Sequence, residues 1–162
     1  MLTAERVREL LHYDPASGVF VWRKGRGKAA RDAIAGSPDA DGYTAIGIDK
    51  KRYKAHRLAW LYVVGEWPVG DLDHVDCDKT NNRFANLRQA TFSQNRCNVH
   101  RPRVNTSGYK GVHFNKNAKR WRSIIKARGM QKCLGYFDTA ESAYAAYCAA
   151  AKELHGEFAR LE

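Results

Sequence analysis

Residues 72–98 have the sequence LDHVDCDKTNNRFANLRQATFSQNRCN, and the order of polar and apolar residues in this stretch predicts a ββα unit. LDHV, at 72–75, has the pattern of a short strand, and LRQAT, at 87–91, has the pattern of a second one. The segment between them is rich in Asp and Asn, which favour turns, so it predicts a long polar loop. FSQNRCN then begins a helix, for which Thr91 or Ser93 provides the N-terminal cap.

Asp73 and His74 are the residues of this stretch that suggest a catalytic site. Hydrolysis of a phosphodiester needs an activated water and stabilisation of charge on the phosphoryl oxygens. A neutral imidazole can accept a proton from water at physiological pH, and a carboxylate with an amide oxygen suits a hard divalent cation. Neighbouring residues of a flat strand point to opposite faces, so the two side chains converge only at a twisted strand end or at the strand's edge.

Two plainer interpretations of the same residues stay open. Asn-rich loops are usually turns, and an isolated Asp-His pair is common by chance. The four cysteines, at positions 77, 97, 133 and 148, include no Cys-x-x-Cys pair. A zinc site made by Cys77, Cys97 and nearby histidines matches no ribbon or finger spacing, so we expect reduced thiols and no structural zinc.

The chain upstream of this stretch predicts a scaffold of short elements. Apolar residues at helical spacing predict a helix over residues 2–12, and a strand follows at 19–23. Two further strands surround a tight turn at 49–50. HRLAWLYVVG, at 56–65, predicts a helix that ends at its glycine, and His56 in it is expected to be a hydrogen-bonded helix residue and not a ligand.

A second module is predicted after a linker at 100–106. GYKGVHFN, KRWRSIIKAR and QKCLGYF have the composition of three strands, and DTAESAYAAYCAAAKELHG begins with a capping box and continues as an amphipathic helix. Alternation along the middle strand places one set of residues towards the helix and a basic set on the other face. The inner set is Trp121, Ser123 and Ile125, and the outer set is Arg122, Ile124 and Lys126.

The net charge of +11 is concentrated in this second module. Residues 101–132 hold ten basic residues and no acidic one, which suits the phosphate backbone of nucleic acid, an anionic membrane surface or simply a solvated face. The longest apolar run, LAWLYVV, is far shorter than the roughly 20 residues that span a bilayer. The N-terminus lacks the pattern of a signal peptide. We therefore expect a cytoplasmic protein with no membrane partner.

The Asp-His pair at 73–74, the Asn-Leu pair that begins at Asn86 and then Asn95 have a joint spacing that resembles the HNH nuclease family with its ββα-metal fold. The similarity is strongest to phage and intron-encoded homing endonucleases. GYTAIGIDKKRYKAHRLAWLYVVGEWP, upstream, is also similar, so the resemblance covers about residues 10–98.

This resemblance implies a role for each matching residue. Asp73 and Asn95 would bind a divalent metal, Mg²⁺ or Mn²⁺, and His74 would be the general base of a one-metal hydrolysis. Asn86 would brace the loop and orient the histidine, whereas Asn81 and Asn82 would belong to the loop scaffold. Asn95 stands where the family more often has its final histidine.

GYKGVHF, RWRSIIKAR and LGYFDTAESAYAAYCAAAKELHG, within about residues 107–158, resemble the plant ethylene-response-factor type of DNA-binding domain. In that family a three-stranded sheet enters the major groove and a helix packs behind it. The resemblance implies double-stranded DNA as partner, with seven residues facing it: Lys110, His113, Asn115, Arg122, Lys126, Gln131 and Tyr136. Several base-reading arginines of the family are Lys, His or Asn here, so no base preference follows.

Together these features predict an α+β protein. A ββα-metal nuclease domain is expected at 1–99, with its core at about 71–99, and a three-stranded antiparallel sheet packed on one helix is expected at 107–162. The expected function is metal-dependent DNA cleavage of homing type by a phage- or mobile-element-encoded protein in a bacterial host. Cleavage of one strand or both stays open, and a monomer is favoured. A catalytically inactive DNA-binding regulator on the same fold is the main alternative, and an RNA-binding or tRNA-associated protein is a third.

Overall fold

The computed structural model describes residues 1–25, 29–98, 105–127 and 129–161. The chain is an α+β protein that divides into two compact units, Met1–Ala90 and Thr91–Glu162. Most of the predicted linker at 100–106 lies outside the described residues, and the predicted domain bounds stay a prediction. None of the described helices is long and apolar enough to cross a bilayer.

The first unit begins with a helix and a hairpin. Helix α1, Ala4–Leu10, is followed directly by strand β1, Leu11–Asp14, which pairs antiparallel with β2, Val19–Trp22. The helix is shorter than the predicted 2–12, because the side chains of Leu11 and Tyr13 alternate into the core with a period of two. Those two residues join the hairpin to the main hydrophobic cluster.

A three-stranded sheet and a helix complete the core of this unit. The sheet has the order β3, β4, β5, with bounds Ser37–Pro38, Thr44–Ile48 and Lys51–Lys54. Asp49 and Lys50 have φ values of 47° and 64°, as the predicted tight hairpin turn requires. Helix α2, Ala55–Val64, follows and ends at Gly65, whose φ of 91° permits a left-handed C-terminal cap.

Two short strands carry the residues on which the predicted chemistry depends. Strand β6, Asp71–His74, pairs antiparallel with β7, Leu87–Ala90, and this confirms the predicted pair of strands around a polar loop. Helix α3, Phe92–Asn95, lies in the second unit and is capped by Thr91 through a capping box with Gln94. The helix begins within FSQNRCN as predicted and covers its first four residues, and of the two predicted caps Thr91, not Ser93, is the one observed.

The second unit consists mainly of an antiparallel sheet of order β10, β9, β8 with a helix packed on it. The elements are β8 (Val112–Asn115), β9 (Arg120–Ala127), β10 (Met130–Phe137) and α4 (Ala140–His155). Ser123 and Ile125 of the middle strand are buried, and Ile125 packs against Tyr147 and Ala151 of the helix. The predicted sheet on one helix is confirmed, with Thr139 as the cap of α4.

Candidate active site

His74 is the last residue of β6, and only 5% of it is exposed. Its Nε2 lies 3.4 Å from Oδ1 of Asn82. The orientation of that amide is set because Asn82 Nδ2 donates to the carbonyl oxygen of Thr80 at 3.0 Å. Since Oδ1 can only accept, Nε2 carries the proton and donates, and Nδ1 is the ring nitrogen that can take up a proton.

The environment of His74 favours the neutral imidazole. Burial lowers the pKa of His74, while the hydrogen bond to Asn82 and the carboxylates of Asp76 and Asp73 act in the opposite direction. The net effect is a lowered pKa, so the ring is uncharged at neutral pH. A neutral imidazole is the form that a general base requires.

The loop between β6 and β7 is organised around the carboxylate of Asp76. Asp76 Oδ1 accepts hydrogen bonds from Asn86 Nδ2 at 2.9 Å and from the backbone of Asp78 at 2.8 Å, and Oδ2 accepts from Asn81 Nδ2 at 2.6 Å. Asn86 Oδ1 in turn accepts from the backbone N–H of Asp76 at 3.1 Å. Asn86 therefore lies where it can brace the loop, while the contact to the imidazole is made by Asn82, which the sequence assigned to the scaffold.

The β1–β2 hairpin holds Asn82 from the other side. The hydroxyl of Tyr13 donates to the backbone oxygen of Asn82 at 2.6 Å, and Phe84 N donates to Pro15 O at 3.1 Å. Gly18 in the hairpin turn has a φ of 77°, and a Cβ there would lie 2.4 Å from Arg83 N. Only glycine allows this close approach of the hairpin to the loop.

His56 and Tyr43 surround His74 and were missed as site residues. The His56 ring lies edge-on to His74 with centroids 4.9 Å apart, and the Tyr43 ring is 6.0 Å from His74. His56 Nδ1 has no hydrogen-bond partner among the described residues, so the expected hydrogen-bonded role is not seen there. Burial, with the charges of His74 and Lys54, lowers the pKa of His56 to about 3. The sequence signal that could have identified His56 as a buried residue is its position on the buried face of α2, three residues before Ala59.

Asp73 pairs with Arg88, which sequence reasoning also missed. The two residues lie directly opposite each other on β6 and β7, and Asp73 Oδ2 accepts from Arg88 Nη2 at 2.8 Å and from Nε at 2.9 Å. Asp73 is buried, with 4% exposed. The register that brings the two together could not be read from the sequence, because the loop that joins the strands is long.

The predicted metal ligands fall in different units. Asp73 belongs to the first unit, and Asn95 is the last residue of α3 in the second. Carboxylate and amide oxygens are donors that suit a hard divalent cation, which often keeps waters and binds substrate phosphate in its other positions. The donor types therefore fit Mg²⁺ or Mn²⁺. Among the described residues, no group of three or more His, Cys, Asp or Glu residues is arranged to hold a metal.

Five of the seven residues predicted to face DNA lie in two rows across the sheet of the second unit. His113, Arg122 and Tyr136 are cross-strand partners on β8, β9 and β10, and Lys126 is opposite Gln131. Directly opposed residues share a face, and positions 122 and 126 lie on the same face of β9. The two rows therefore form one surface, on the side away from buried Ser123 and Ile125.

Lys110 and Asn115, the other two residues predicted to face DNA, form hydrogen bonds within the protein. Lys110 Nζ donates to the carbonyl oxygens of Cys97 at 3.0 Å and Arg160 at 3.1 Å, both within the second unit. Asn115 Oδ1 accepts from the backbone of Ala118 at 2.9 Å in the turn after β8. Part of the hydrogen-bonding capacity of each side chain is thus used inside the protein.

Comparison with known proteins places the sequence around this site in a family. Residues 53–97, which include β6, the polar loop and β7, match the HNH endonuclease family. The chain is 36% identical over 116 residues to "Protein 3.8" of Escherichia phage T7, which covers 69% of this chain and 95% of the phage protein. It is 31% identical over 116 residues to "Uncharacterized HNH endonuclease L560" of Acanthamoeba polyphaga mimivirus, which covers 70% of this chain and 59% of that protein.

A solved structure titled "DNA binding and cleavage by the HNH homing endonuclease I-HmuI" is also similar, with 18% identity and a TM-score of 0.40 over 90% of this chain and 84% of that one. At this identity and TM-score the similarity supports no conclusion about chemistry. The match of residues 53–97 is what identifies the family, and the phage relative shares 36% identity with this chain over 95% of its own length. The chain belongs to the HNH endonuclease family.

Proposed function

We propose that the protein is a metal-dependent DNA endonuclease of homing type in which His74 is the general base. The observation that supports this most directly is the buried, neutral imidazole of His74, whose Nε2 is hydrogen-bonded to Asn82 within the region that matches the family. A ring held in one tautomer keeps Nδ1 as its basic nitrogen. Nuclease chemistry needs such a base, whereas a purely structural histidine does not need this tautomer.

The residues around His74 favour both halves of a proton transfer. Burial keeps the ring uncharged before the reaction, so Nδ1 can accept a proton from an attacking water. The carboxylates of Asp76 and Asp73 then stabilise the imidazolium that forms, because each raises the affinity of the ring for a proton. Asn82 and Asn86 act as positioning residues, the first on the ring and the second on the loop.

The proposed metal ligands are Asp73 and Asn95, with Mg²⁺ or Mn²⁺ as the ion. When bound, such an ion stabilises negative charge on the phosphoryl oxygens and on the leaving oxygen. Arg88 competes for the carboxylate of Asp73, since Oδ2 already accepts two hydrogen bonds from the guanidinium. Loss of metal-dependent activity in Asp73→Ala and Asn95→Ala variants would support the two assignments separately.

The proposed partner is double-stranded DNA, held by the sheet of the second unit. The rows formed by His113, Arg122 and Tyr136 and by Lys126 and Gln131 give a face with positive charge and hydrogen-bonding groups. Arg122 can contact bases or phosphate, and Lys126 suits phosphate. The relatives come from Escherichia phage T7 and a mimivirus, which supports a phage or mobile-element origin.

Nicking of supercoiled plasmid in the presence of Mg²⁺ or Mn²⁺ tests this function. His74→Ala is expected to abolish cleavage while DNA binding, measured by fluorescence anisotropy, is retained. His12→Ala is the matched control, because it removes an exposed imidazole of the same unit. Cleavage by His74→Ala at the rate of the unchanged protein would refute the general-base assignment.

A catalytically inactive DNA-binding regulator on the same fold is the second candidate. The ion pair between Asp73 and Arg88 favours it, because a guanidinium bound to the carboxylate opposes metal binding. The plasmid assay separates the two functions, since a regulator binds DNA without cutting it at any metal concentration. Strand-specific mapping of products from a randomised DNA library would then distinguish nicking from double-strand cleavage.

A further inference from the structure

Two lysine ammonium groups lie close to the ring of Tyr43, next to His74. Lys54 Nζ lies 3.8 Å from the ring centroid, and Lys79 Nζ lies 4.8 Å from it. The same ring is 6.0 Å from the His74 ring and 5.1 Å from the His56 ring. Two ammonium groups are therefore held close to the proposed base through one aromatic side chain, at distances typical of cation–π contacts.

The two lysines come from different parts of the first unit. Lys54 ends β5, and Lys79 lies in the polar loop after β6. Asp41 contacts both, because its backbone oxygen accepts from Lys79 Nζ at 2.9 Å and its carboxylate is 3.7 Å from Lys54 Nζ. Their convergence on one ring therefore depends on the fold and is not a local feature of either segment.

Each ammonium group of this cluster keeps hydrogen-bonding capacity for a further acceptor. Burial raises the pKa of Tyr43, and so do four nearby carboxylates, those of Asp41, Asp39, Asp71 and Asp73. Negative charge therefore also lies close to the ring, and the cluster holds no simple surplus of positive charge. An ammonium group has three N–H donors, however, and Lys79 donates one of them to the backbone oxygen of Asp41, while Lys54 Nζ lies 3.7 Å from the Asp41 carboxylate. A phosphodiester, which is singly charged and presents two acceptor oxygens, is the anion that such a site would meet during the proposed reaction.

We propose that Lys54 and Lys79, the lysine pair, bind backbone phosphates next to the one hydrolysed at His74, with Tyr43 as their platform. This rests on the proposed function, because it assumes that DNA reaches His74. Lysine suits the task as a compact charge that contacts phosphate without reading bases. The pair would therefore strengthen binding to every sequence equally and would place the backbone at the imidazole.

The salt dependence of DNA binding tests the lysine pair without requiring cleavage. Binding of the full chain carrying His74→Ala to a duplex of mixed sequence is measured by anisotropy over a range of KCl concentrations, with EDTA present. Each phosphate contact that is lost lowers the slope of log Kd against log [KCl] by about 0.9. Lys54→Ala and Lys79→Ala are each expected to lower the slope by about that amount.

Lys51→Ala is the matched control, because it removes the same charge from the other end of β5. Its slope is expected to equal that of the parent protein. Lys54→Arg and Lys79→Arg keep the charge and are expected to restore the slope. Slopes for Lys54→Ala and Lys79→Ala equal to that of Lys51→Ala would overturn the proposal.

Variants of Tyr43 test the platform. Tyr43→Phe keeps the ring and is expected to keep the slope, whereas Tyr43→Leu is expected to lower it, because the ammonium groups lose the ring that positions them. Equal slopes for the two variants would contradict the role of the ring. Plasmid nicking by His74→Ala would refute the general base alone, and the salt comparison would still decide the lysine pair.

Discussion

Replacement of Gly18 by alanine should displace the loop that carries Asn82 and thereby disturb the proposed active site. Gly18 has a φ of 77°, and an alanine Cβ would lie 2.4 Å from Arg83 N and 2.5 Å from the carbonyl carbon of Asn82. The left-handed conformation costs a non-glycine residue about 1–2 kcal/mol. Relief of the overlap adds about 1–3 kcal/mol, because both contacts are to backbone atoms that cannot rotate away.

Gly65→Ala separates the two contributions. Gly65 has a φ of 91°, and no atom lies within 4 Å of the position that an alanine methyl group would take, so alanine there meets only the backbone cost. In calorimetry, Gly18→Ala is expected to lower the Tm of the first unit by at least about 4 °C more than Gly65→Ala does. Displacement of Asn82 should also slow plasmid nicking about threefold to tenfold, which is the effect on rate of losing one hydrogen bond, here the one to His74. Equal losses of Tm in the two variants would refute the close approach.

Three further outcomes are expected. Arg88→Met removes the guanidinium from the buried carboxylate of Asp73 and should lower the free energy of unfolding by about 3–5 kcal/mol, measured by urea titration. Adding Asp73→Leu should recover the loss, because no buried charge is then left unpaired, and an unchanged free energy of unfolding in Arg88→Met would contradict the buried pair. Partial burial of Asp76 is outweighed by hydrogen bonds from two loop asparagines, which hold its pKa below 3.8. Its contribution to stability is therefore present above that pH and lost as the pH falls through the lowered pKa, and Asp76→Asn should flatten this part of the stability curve. Arg122→Ala should lower the salt slope of DNA binding by about 0.9, whereas Lys152→Ala on helix α4 should not.

The elements that position His74 could be predicted because their sequence signals are local. The turn at Asp49 and Lys50, the end of α2 at Gly65 and the cap of α3 at Thr91 each depend on a few neighbouring residues. The same holds for the alternation in β9, where the observed burial of Ser123 follows from a period of two. Local preference and final fold agree at these positions, so the sequence was sufficient there.

The contact partners of His74 and Asp73 could not be predicted, because they depend on contacts between segments that are distant in the sequence. Asn82 and Asn81 are the same residue type in the same loop, and the contacts that hold the backbone of Asn82 beside His74 come from a distant hairpin, through the hydroxyl of Tyr13 and the close approach at Gly18. Arg88 meets Asp73 through a strand register that the long loop leaves undetermined. Each of these pairings is a consequence of packing, which no pattern of neighbouring residues encodes.

The alternation of strand β6 has a chemical consequence that follows from these pairings. Asp73 is opposite Arg88 and His74 is opposite Leu87, so the two neighbouring side chains are held by different partners. They remain coupled through space, because the charge of Asp73 still raises the proton affinity of the imidazole. Asp73 can therefore favour the imidazolium electrostatically while its carboxylate accepts hydrogen bonds from Arg88. The alternation of β6 thus gives the proposed base and the neighbouring carboxylate separate partners while leaving them electrostatically coupled.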